Sequence, residues 1–248
     1  MKILIRANAR RVFQGMGIYV TIIIMLAFSA IIAFGMTSPA IAVAHYGSET
    51  IQVIFVGFSN YIFVPLAAAI FVSGALFTYG AIVNELAYGI SRAKIYFSHL
   101  LLSSVLCVVL VLVSIACSVL LGTAINGFGS VQQGFWLEKA SIFAVLLLLL
   151  LALNALATFL VFTTRRTSRT IGAFFAYMIV PRLLVEASAF LNEDLLRFRY
   201  FDLPYNIVLM AHLPYLDVSQ INVAVALGIG TIVLTTCAGI VLFELRDV

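Results

Sequence analysis

Long stretches without a charged residue constrain this chain more than any other feature. A helix rising about 1.5 Å per residue needs roughly 20 apolar residues to cross a bilayer core of about 30 Å. Of the 248 residues, 64% are hydrophobic and 10% are charged. The sequence therefore predicts an all-α, polytopic membrane protein with one transmembrane domain over residues 1–248. The uncharged stretches are Val12 to Ser48, Thr50 to Asn84, Ile95 to Leu137, Ala140 to Thr164 and Val218 to Phe243.

Six membrane spans are predicted from these stretches. The fifth is the weakest, because only Thr170 to Pro181 is free of charge, and this is shorter than the roughly 17–25 residues of a spanning helix. Arg182 and Glu186 would then lie near the far interface, or the segment would re-enter the membrane. The predicted spans are Ile18 to Met36, Val53 to Phe77, Ile95 to Leu121, Ser141 to Thr163, Thr170 to Phe190 and Val223 to Phe243.

The distribution of Lys and Arg predicts the orientation, because short cytoplasmic loops retain these residues. With both termini inside, only Lys139, Arg182, Arg197 and Arg199 of the 14 basic residues lie outside. The net charge of +4 is therefore explained by topology, and no nucleic-acid partner is expected. The residues placed in the cytoplasm are Lys2, Arg6, Arg10, Arg11, Arg92, Lys94, Arg165, Arg166, Arg169 and Arg246.

The residues before the first span have an amphipathic helical pattern. Ile5, Ala9 and Val12 recur at helical spacing opposite a polar face. This pattern predicts an interfacial helix over residues 1–16 on the inner membrane surface, with membrane lipids as its partner. An ordinary basic flank that only sets the topology is the alternative. The residues assigned to the membrane surface are Lys2, Arg6, Arg10 and Arg11.

Residues 192–220 mix charges, aromatic residues and two prolines between the fifth and sixth spans. Such a composition suits short helices at the outer membrane interface, where Tyr and Phe are favourable. A lid over an exit path is the functional interpretation, and a simple interfacial loop is the alternative.

Polar side chains inside the spans are few. Asn154 is the one strong polar group of the fourth span, and such an Asn more often bonds to a neighbouring helix than to a substrate. Asn60 and Pro65 in the second span are interpreted in the same way, with Pro65 bending the helix. No metal site is expected, because the three cysteines have no CxxC spacing and the three histidines are far apart along the chain.

The charged stretch "NELAYGISRAKIYFSHL", from Asn84 to Leu100, separates the second and third spans. Glu85 and Arg92 would point the same way on a continuous helix, but Gly89 is expected to interrupt it and Ser91 to cap the next. A short solvated turn is the alternative. The chain has no nucleotide-binding or zinc-protease motif, so any energy for active transport must come from elsewhere.

The wider segment "YGAIVNELAYGISRAKIYFSHLL", from Tyr79 to Leu101, is similar to the first cytoplasmic loop of type 2 ATP-binding-cassette (ABC) permeases. It resembles especially the small permeases of lantibiotic-immunity and peptide-toxin export systems. In that family the loop forms a coupling helix that docks in a groove of the ATPase subunit. The positions that match are Gly80, Ile82, Gly89, Ile90, Ser91, Arg92, Lys94, Ile95 and Tyr96.

The resemblance implies a permease subunit of a bacterial ABC exporter in the cell membrane, with six spans, a coupling helix around residues 80–94 and an extracellular helical hairpin at 192–220. Its partners would be a cytosolic ATP-binding subunit, which holds the ATP and Mg²⁺, and a second permease copy or paralogue. The chain would not be an enzyme and would hold no cofactor. The residues that would couple to the ATPase are Glu85, Tyr88, Gly89, Ile90, Ser91, Arg92 and Lys94.

The lack of charge in the spans favours an amphipathic peptide or another hydrophobic molecule as the exported substrate, with no substrate-binding residue identified. Two other functions remain open. An ATP-independent secondary transporter or channel would usually carry ionisable residues within its spans, or an inverted repeat. A non-transporting membrane scaffold would share the same topology.

Overall fold

The computed structural model is helical and free of strands over the residues that it describes. Three of the residues assigned to the membrane surface, Lys2, Arg6 and Arg11, lie outside this part, as do Asn60 and Arg246. The described residues are 7–10, 16–35, 48, 51, 53–57, 62–78, 80–130, 134–189, 193–212 and 218–245.

The described part of the chain consists of α-helices and one 3-10 helix. Residues 7–10 and 53–57 are also helical. A 3-10 helix, Glu193–Phe201, lies between the sixth and seventh α-helices. The α-helices are α1 (Met16–Gly35), α2 (Phe63–Thr78), α3 (Ala81–Ala87), α4 (Arg92–Asn126), α5 (Phe135–Thr164), α6 (Thr167–Ala189), α7 (Leu203–His212) and α8 (Val218–Leu245).

Four of these helices, α4, α5, α6 and α8, are long and apolar enough to cross a membrane. Helices α2 and α3 are bent by 60° and would form a fifth span if they are counted together. Helix α1 contributes a shorter apolar stretch, Ile18–Ile31. The described part of the chain therefore has four or five candidate spans, and the predicted count of six is not confirmed.

Helix α6 is longer than its uncharged stretch suggested. It continues through Pro181 for 23 residues in all, so its length meets the requirement for a span. Arg182 and Glu186 lie on this helix as an exposed ion pair four residues apart, with an N–O distance of 3.0 Å. The helix covers every described residue of the predicted fifth span, because paired charges near a helix end do not terminate it.

Helix α5 is the centre of the bundle and contacts α2, α4, α6, α7 and α8. In its most apolar stretch 67% of the residues are buried, compared with 33% or less in α4, α6 and α8. The surrounding helices α4, α6 and α8 instead expose many large apolar side chains. In a bilayer such faces contact lipid without the cost that water would impose.

Buried polar side chains join α4 to α5. The side-chain amide of Asn154 donates to the hydroxyl oxygens of Ser103 at 3.0 Å and Ser104 at 2.9 Å. Cys107 donates its thiol to the Asn154 side-chain oxygen, at 3.8 Å, and to the carbonyl oxygen of Pro65 on α2, at 3.3 Å. The expectation that Asn154 bonds to a neighbouring helix is confirmed.

The bundle has two ends of different character. At the basic end, defined by Arg92, Lys94, Arg165, Arg166 and Arg169, the start of α4 meets the last turns of α5 and α8. At the opposite end, the Phe128 and Trp136 rings stack with centroids 5.8 Å apart. The 3-10 helix and α7 follow the end of α6 and precede α8.

Asp202 joins the 3-10 helix to α7 as a helix N-cap. Its Oδ2 accepts a hydrogen bond of 3.2 Å from the backbone N–H of Tyr205, which is the bond expected of an N-cap Asp. Burial raises the pKa of the Asp202 carboxyl above its usual value, although the Tyr205 bond and the charge of Arg182 act in the opposite direction. The predicted hairpin region therefore contains two short helices with a specific cap between them.

Candidate functional site

Helix α3 is a single short helix that ends in a specific C-terminal motif. The backbone N–H of Gly89 donates to the Leu86 carbonyl at 2.9 Å, and that of Ile90 donates to the Glu85 carbonyl at 3.3 Å. These two bonds form a Schellman motif, which requires a left-handed residue at the position of Gly89. Gly89 has φ of 73°, so a residue without a side chain fits that position.

Ser91 begins the next helix. Its backbone is extended, with φ of −63° and ψ of 144°, and its carbonyl oxygen accepts the N–H of Ile95 at 3.2 Å. The Ser91 hydroxyl makes no capping hydrogen bond. The sequence therefore placed the N-cap of α4 correctly, but the side-chain bond that usually accompanies such a cap is absent at this residue.

The seven residues assigned to ATPase coupling divide by exposure. Tyr88 is 86% exposed at the tip of the turn, and Gly89, Ser91 and Lys94 are exposed beside it. Glu85 is only 5% exposed. The remaining two, Ile90 and Arg92, are half-buried.

Glu85 and Arg92 lie on different helices, because α3 ends at Ala87 and α4 begins at Arg92. They would point the same way only on one continuous helix, and the helix is interrupted at Gly89. The surface that another protein could contact is formed instead by Tyr88, Ser91 and Lys94, together with Val83 on α3, which is 58% exposed.

Arg92 is bound within the chain. Its Nη1 donates to the backbone carbonyl oxygens of Phe243, at 3.1 Å, and Glu244, at 2.9 Å, in the last turn of α8. Carbonyls in a last turn have no partner in their own helix, and the helix dipole makes that end negative. The guanidinium group of Arg92 supplies both a hydrogen-bond donor for these carbonyls and a positive charge near the negative helix end.

The N-terminal segment is attached at the same end. The buried side chains of Asn8 and His99 form a hydrogen bond of 3.2 Å between the Asn8 amide nitrogen and the His99 Nε2. Arg10 is exposed on the same segment. The amphipathic pattern placed Ala9 on the apolar face of a helix at the membrane surface, but Asn8 is more deeply buried, since His99 provides a polar partner inside the bundle.

A second group of exposed cations lies where α5 turns into α6. Helix α5 is capped by Arg165, which has φ of 55° and donates its backbone N–H to the Val161 carbonyl at 2.8 Å. Arg166 and Arg169 follow and are exposed. Together with Lys94 and Arg10 they make this end of the bundle positively charged, which suits an acidic protein surface or anionic lipid headgroups.

Some residues at this end were missed by the sequence reasoning. Tyr96, Phe162 and Phe243 form a buried aromatic cluster around the start of α4. Phe162 and Phe243 carried no signal, because a Phe near the end of an apolar span has the same pattern whether it faces lipid or a neighbouring ring. No sequence pattern indicated the role of Gly239, which lies against Tyr96.

No group of three or more metal-ligating side chains occurs among the described residues. The exposed turn can recognise another molecule through the Tyr88 ring and nearby cations such as Lys94. No protein-family model matches the sequence, and no curated protein aligns significantly with it.

Proposed function

We propose that the chain is the permease subunit of a bacterial ABC exporter, with ATP and Mg²⁺ bound by a separate cytosolic subunit. The observation that carries this proposal is the turn between α3 and α4. A short helix closed by Gly89 presents Tyr88 and Lys94 at the basic end of a membrane-embedded bundle. That geometry suits a soluble protein that docks from outside the bilayer.

The location and orientation follow from the same proposal. In this proposal the basic end, where the turn lies, faces the cytoplasm together with both termini, and the concentration of basic residues at that end supports this orientation. The substrate would be an amphipathic peptide or another hydrophobic molecule. Exposed apolar faces on the outer helices leave room for a second permease copy or paralogue beside membrane lipid.

The test is purification of the tagged chain from its own membrane in a mild detergent, followed by assay of vanadate-sensitive ATP hydrolysis. We expect an ATPase to copurify and its activity to depend on the chain. Tyr88→Ala should abolish most of the copurification, because it removes the most exposed ring of the turn. Trp136→Ala is the matched control, since Trp136 is an exposed aromatic residue at the opposite end.

An ATPase that copurifies equally with Y88A and W136A would refute the role of the turn. Absence of any copurifying ATPase from the wild-type preparation would refute the exporter itself. It would favour an ATP-independent transporter, a channel or a scaffold.

A further inference from the structure

The first two turns of α4 and the last three turns of α8 are joined along matching faces. Arg92 and Tyr96 are four residues apart and therefore lie on one face of α4. Thr235, Gly239 and Phe243 recur at the same spacing on α8. Arg92 binds the end of that face through the Phe243 carbonyl, and its guanidinium carbon lies 5.9 Å from the Phe243 ring centroid.

Tyr96 provides a second attachment further into the bundle. Its side chain is fully buried, and its hydroxyl donates to the Thr235 carbonyl at 3.3 Å. The ring occupies the space left by Gly239, where an added Cβ would lie 2.6 Å from the Cζ of Tyr96. The two helices can approach this closely only because that position lacks a side chain.

Phe162 on α5 extends the attachment to α2, the helix that precedes α3. Its ring centroid lies 4.8 Å from that of Tyr96, 5.0 Å from that of Phe243 and 5.3 Å from that of Phe77. Phe77 is in the last turn of α2, just before Gly80 and α3. The segment from Phe77 to Tyr96, which contains α3 and the exposed turn, is thus packed at both ends against the same ring that contacts α8.

We infer that Arg92 and Tyr96 are positioning residues that fasten the C-terminal end of α8 to the turn between α3 and α4, so that these parts move as one body. Arg92 then acts inside the chain, and contact with a docked protein is left to Tyr88 and Lys94. The consequence for transport rests on the proposed function: displacement of the turn by an ATPase would move the last span directly.

The attachment can be measured in the isolated chain in lipid nanodiscs. Spin labels at Tyr88→Cys and Leu245→Cys, both highly exposed positions, report the distance between the turn and the end of α8. Cys117 and Cys237 are replaced by Ser, while the fully buried Cys107 is retained and shown to be unlabelled. We expect a single narrow distance distribution in this parent.

Arg92→Gln should broaden that distribution, and Arg92→Lys should restore most of its sharpness, since an ammonium group still donates to the carbonyls and keeps the charge near the negative helix end. Lys94→Ala is the matched control, because Lys94 is an exposed basic residue two positions away, and it should leave the distribution narrow. A reference pair at Leu137 and Val218 should be unchanged in every variant.

The attachment is refuted if R92Q keeps the narrow distribution of the parent, or if K94A broadens it equally. If R92Q also changes the distance between the reference labels at Leu137 and Val218, the variant has lost its structure generally. The same measurement is then made on Tyr96→Phe, which removes only the hydroxyl bond to Thr235. Y96F should broaden the turn-to-α8 distribution slightly, and an unchanged width would refute the inference.

The consequence for transport is measured on the complex with the ATPase. ATP and vanadate should shift the distance between labels at Leu137 and Leu245 in the parent. R92Q should keep vanadate-sensitive ATPase activity but lose this shift, and a full shift in R92Q would refute the mechanical role. If no ATPase copurifies, the proposed function fails, but the nanodisc measurement still decides whether Arg92 holds α8.

Discussion

Two glycines of α8 should respond in opposite ways to the same added methyl group. At Gly239 an added Cβ would lie 2.6 Å from two ring carbons of Tyr96, well inside van der Waals contact. At Gly230 no atom lies within 4 Å of the added carbon. Gly239→Ala should therefore displace the Tyr96 ring, whereas Gly230→Ala should only add a better helix former.

The expected changes in unfolding free energy can be estimated from the typical costs of overpacking and of glycine in a helix. Overpacking a well-packed site by one carbon costs about 1–3 kcal/mol of unfolding free energy. Replacing a helical Gly by Ala in open surroundings gains at most about 0.8–1.0 kcal/mol. Because both glycines lie inside α8, this gain is common to both variants and cancels, so the unfolding free energies of G239A and G230A should differ by about 1–3 kcal/mol, with G239A the less stable.

The assay is equilibrium unfolding in mixed micelles with increasing SDS, followed by Trp136 fluorescence. Trp136 is the only tryptophan and lies at the end of the bundle away from Gly239. Tyr96→Ala provides the decisive background, because it removes the ring that the new Cβ would contact. In that background Gly239→Ala should cost little, which gives a coupling energy in the range of about 0.5–3 kcal/mol that contacting residues show.

Two results would contradict this reasoning. Equal stability of G239A and G230A would mean that Tyr96 does not occupy the space at Gly239. A G239A cost that stays the same in the Tyr96→Ala background would assign the effect to something other than the ring. Either result would also weaken the second attachment between α4 and α8.

Two further predictions concern polar side chains. Asn154→Leu should lower the unfolding free energy by about 1–2 kcal/mol, because it removes two interhelical hydrogen bonds of roughly 0.6 kcal/mol each and the acceptor for the Cys107 thiol. Asn222→Leu, which changes an exposed Asn on α8, is the control and should be near neutral in the same SDS titration. Equal effects of the two substitutions would contradict a stabilising role for the Asn154 hydrogen bonds. Because its pKa is raised in the folded state, Asp202 should make thermal stability fall as pH rises from about 3.9 through the folded pKa. Asp202→Asn keeps a capping side chain and should remove that slope, which thermal scans at several pH values would show; an unchanged slope would assign it to another group.

Several local features were predictable because they depend on neighbouring residues alone. Gly89 ends α3 and Ser91 precedes α4 as the sequence indicated, since a left-handed position and a helix start are decided within one or two turns. Asn154 bonds to an adjacent helix for an equally general reason, namely that a polar group in an apolar span needs a partner. The exact partners, Ser103 and Ser104, could not be foreseen without the packing of α4 on α5.

Other features depended on distant parts of the chain. The sequence suggested that Arg92 points outward beside Glu85, but 151 residues separate it from the Phe243 carbonyl that it binds. Nothing near Arg92 in the sequence identifies that partner. The sequence also left open whether Arg182 and Glu186 lie near the interface or in a re-entrant segment, because their exposure and pairing are set by the surface on which they lie.

The uncharged apolar stretches were enough to predict a helical, membrane-embedded chain, because a helix of this length satisfies its own backbone hydrogen bonds within lipid. The sequence by itself also determined where the polar turn between α3 and α4 lies. Which side chains of that turn are exposed and which are bound inward depends on the packing of distant helices, since Arg92 binds α8 and Tyr88 is exposed. Helix contacts in an apolar bundle depend on shape, such as the space that Gly239 leaves for Tyr96, and shape is not visible in composition or periodicity.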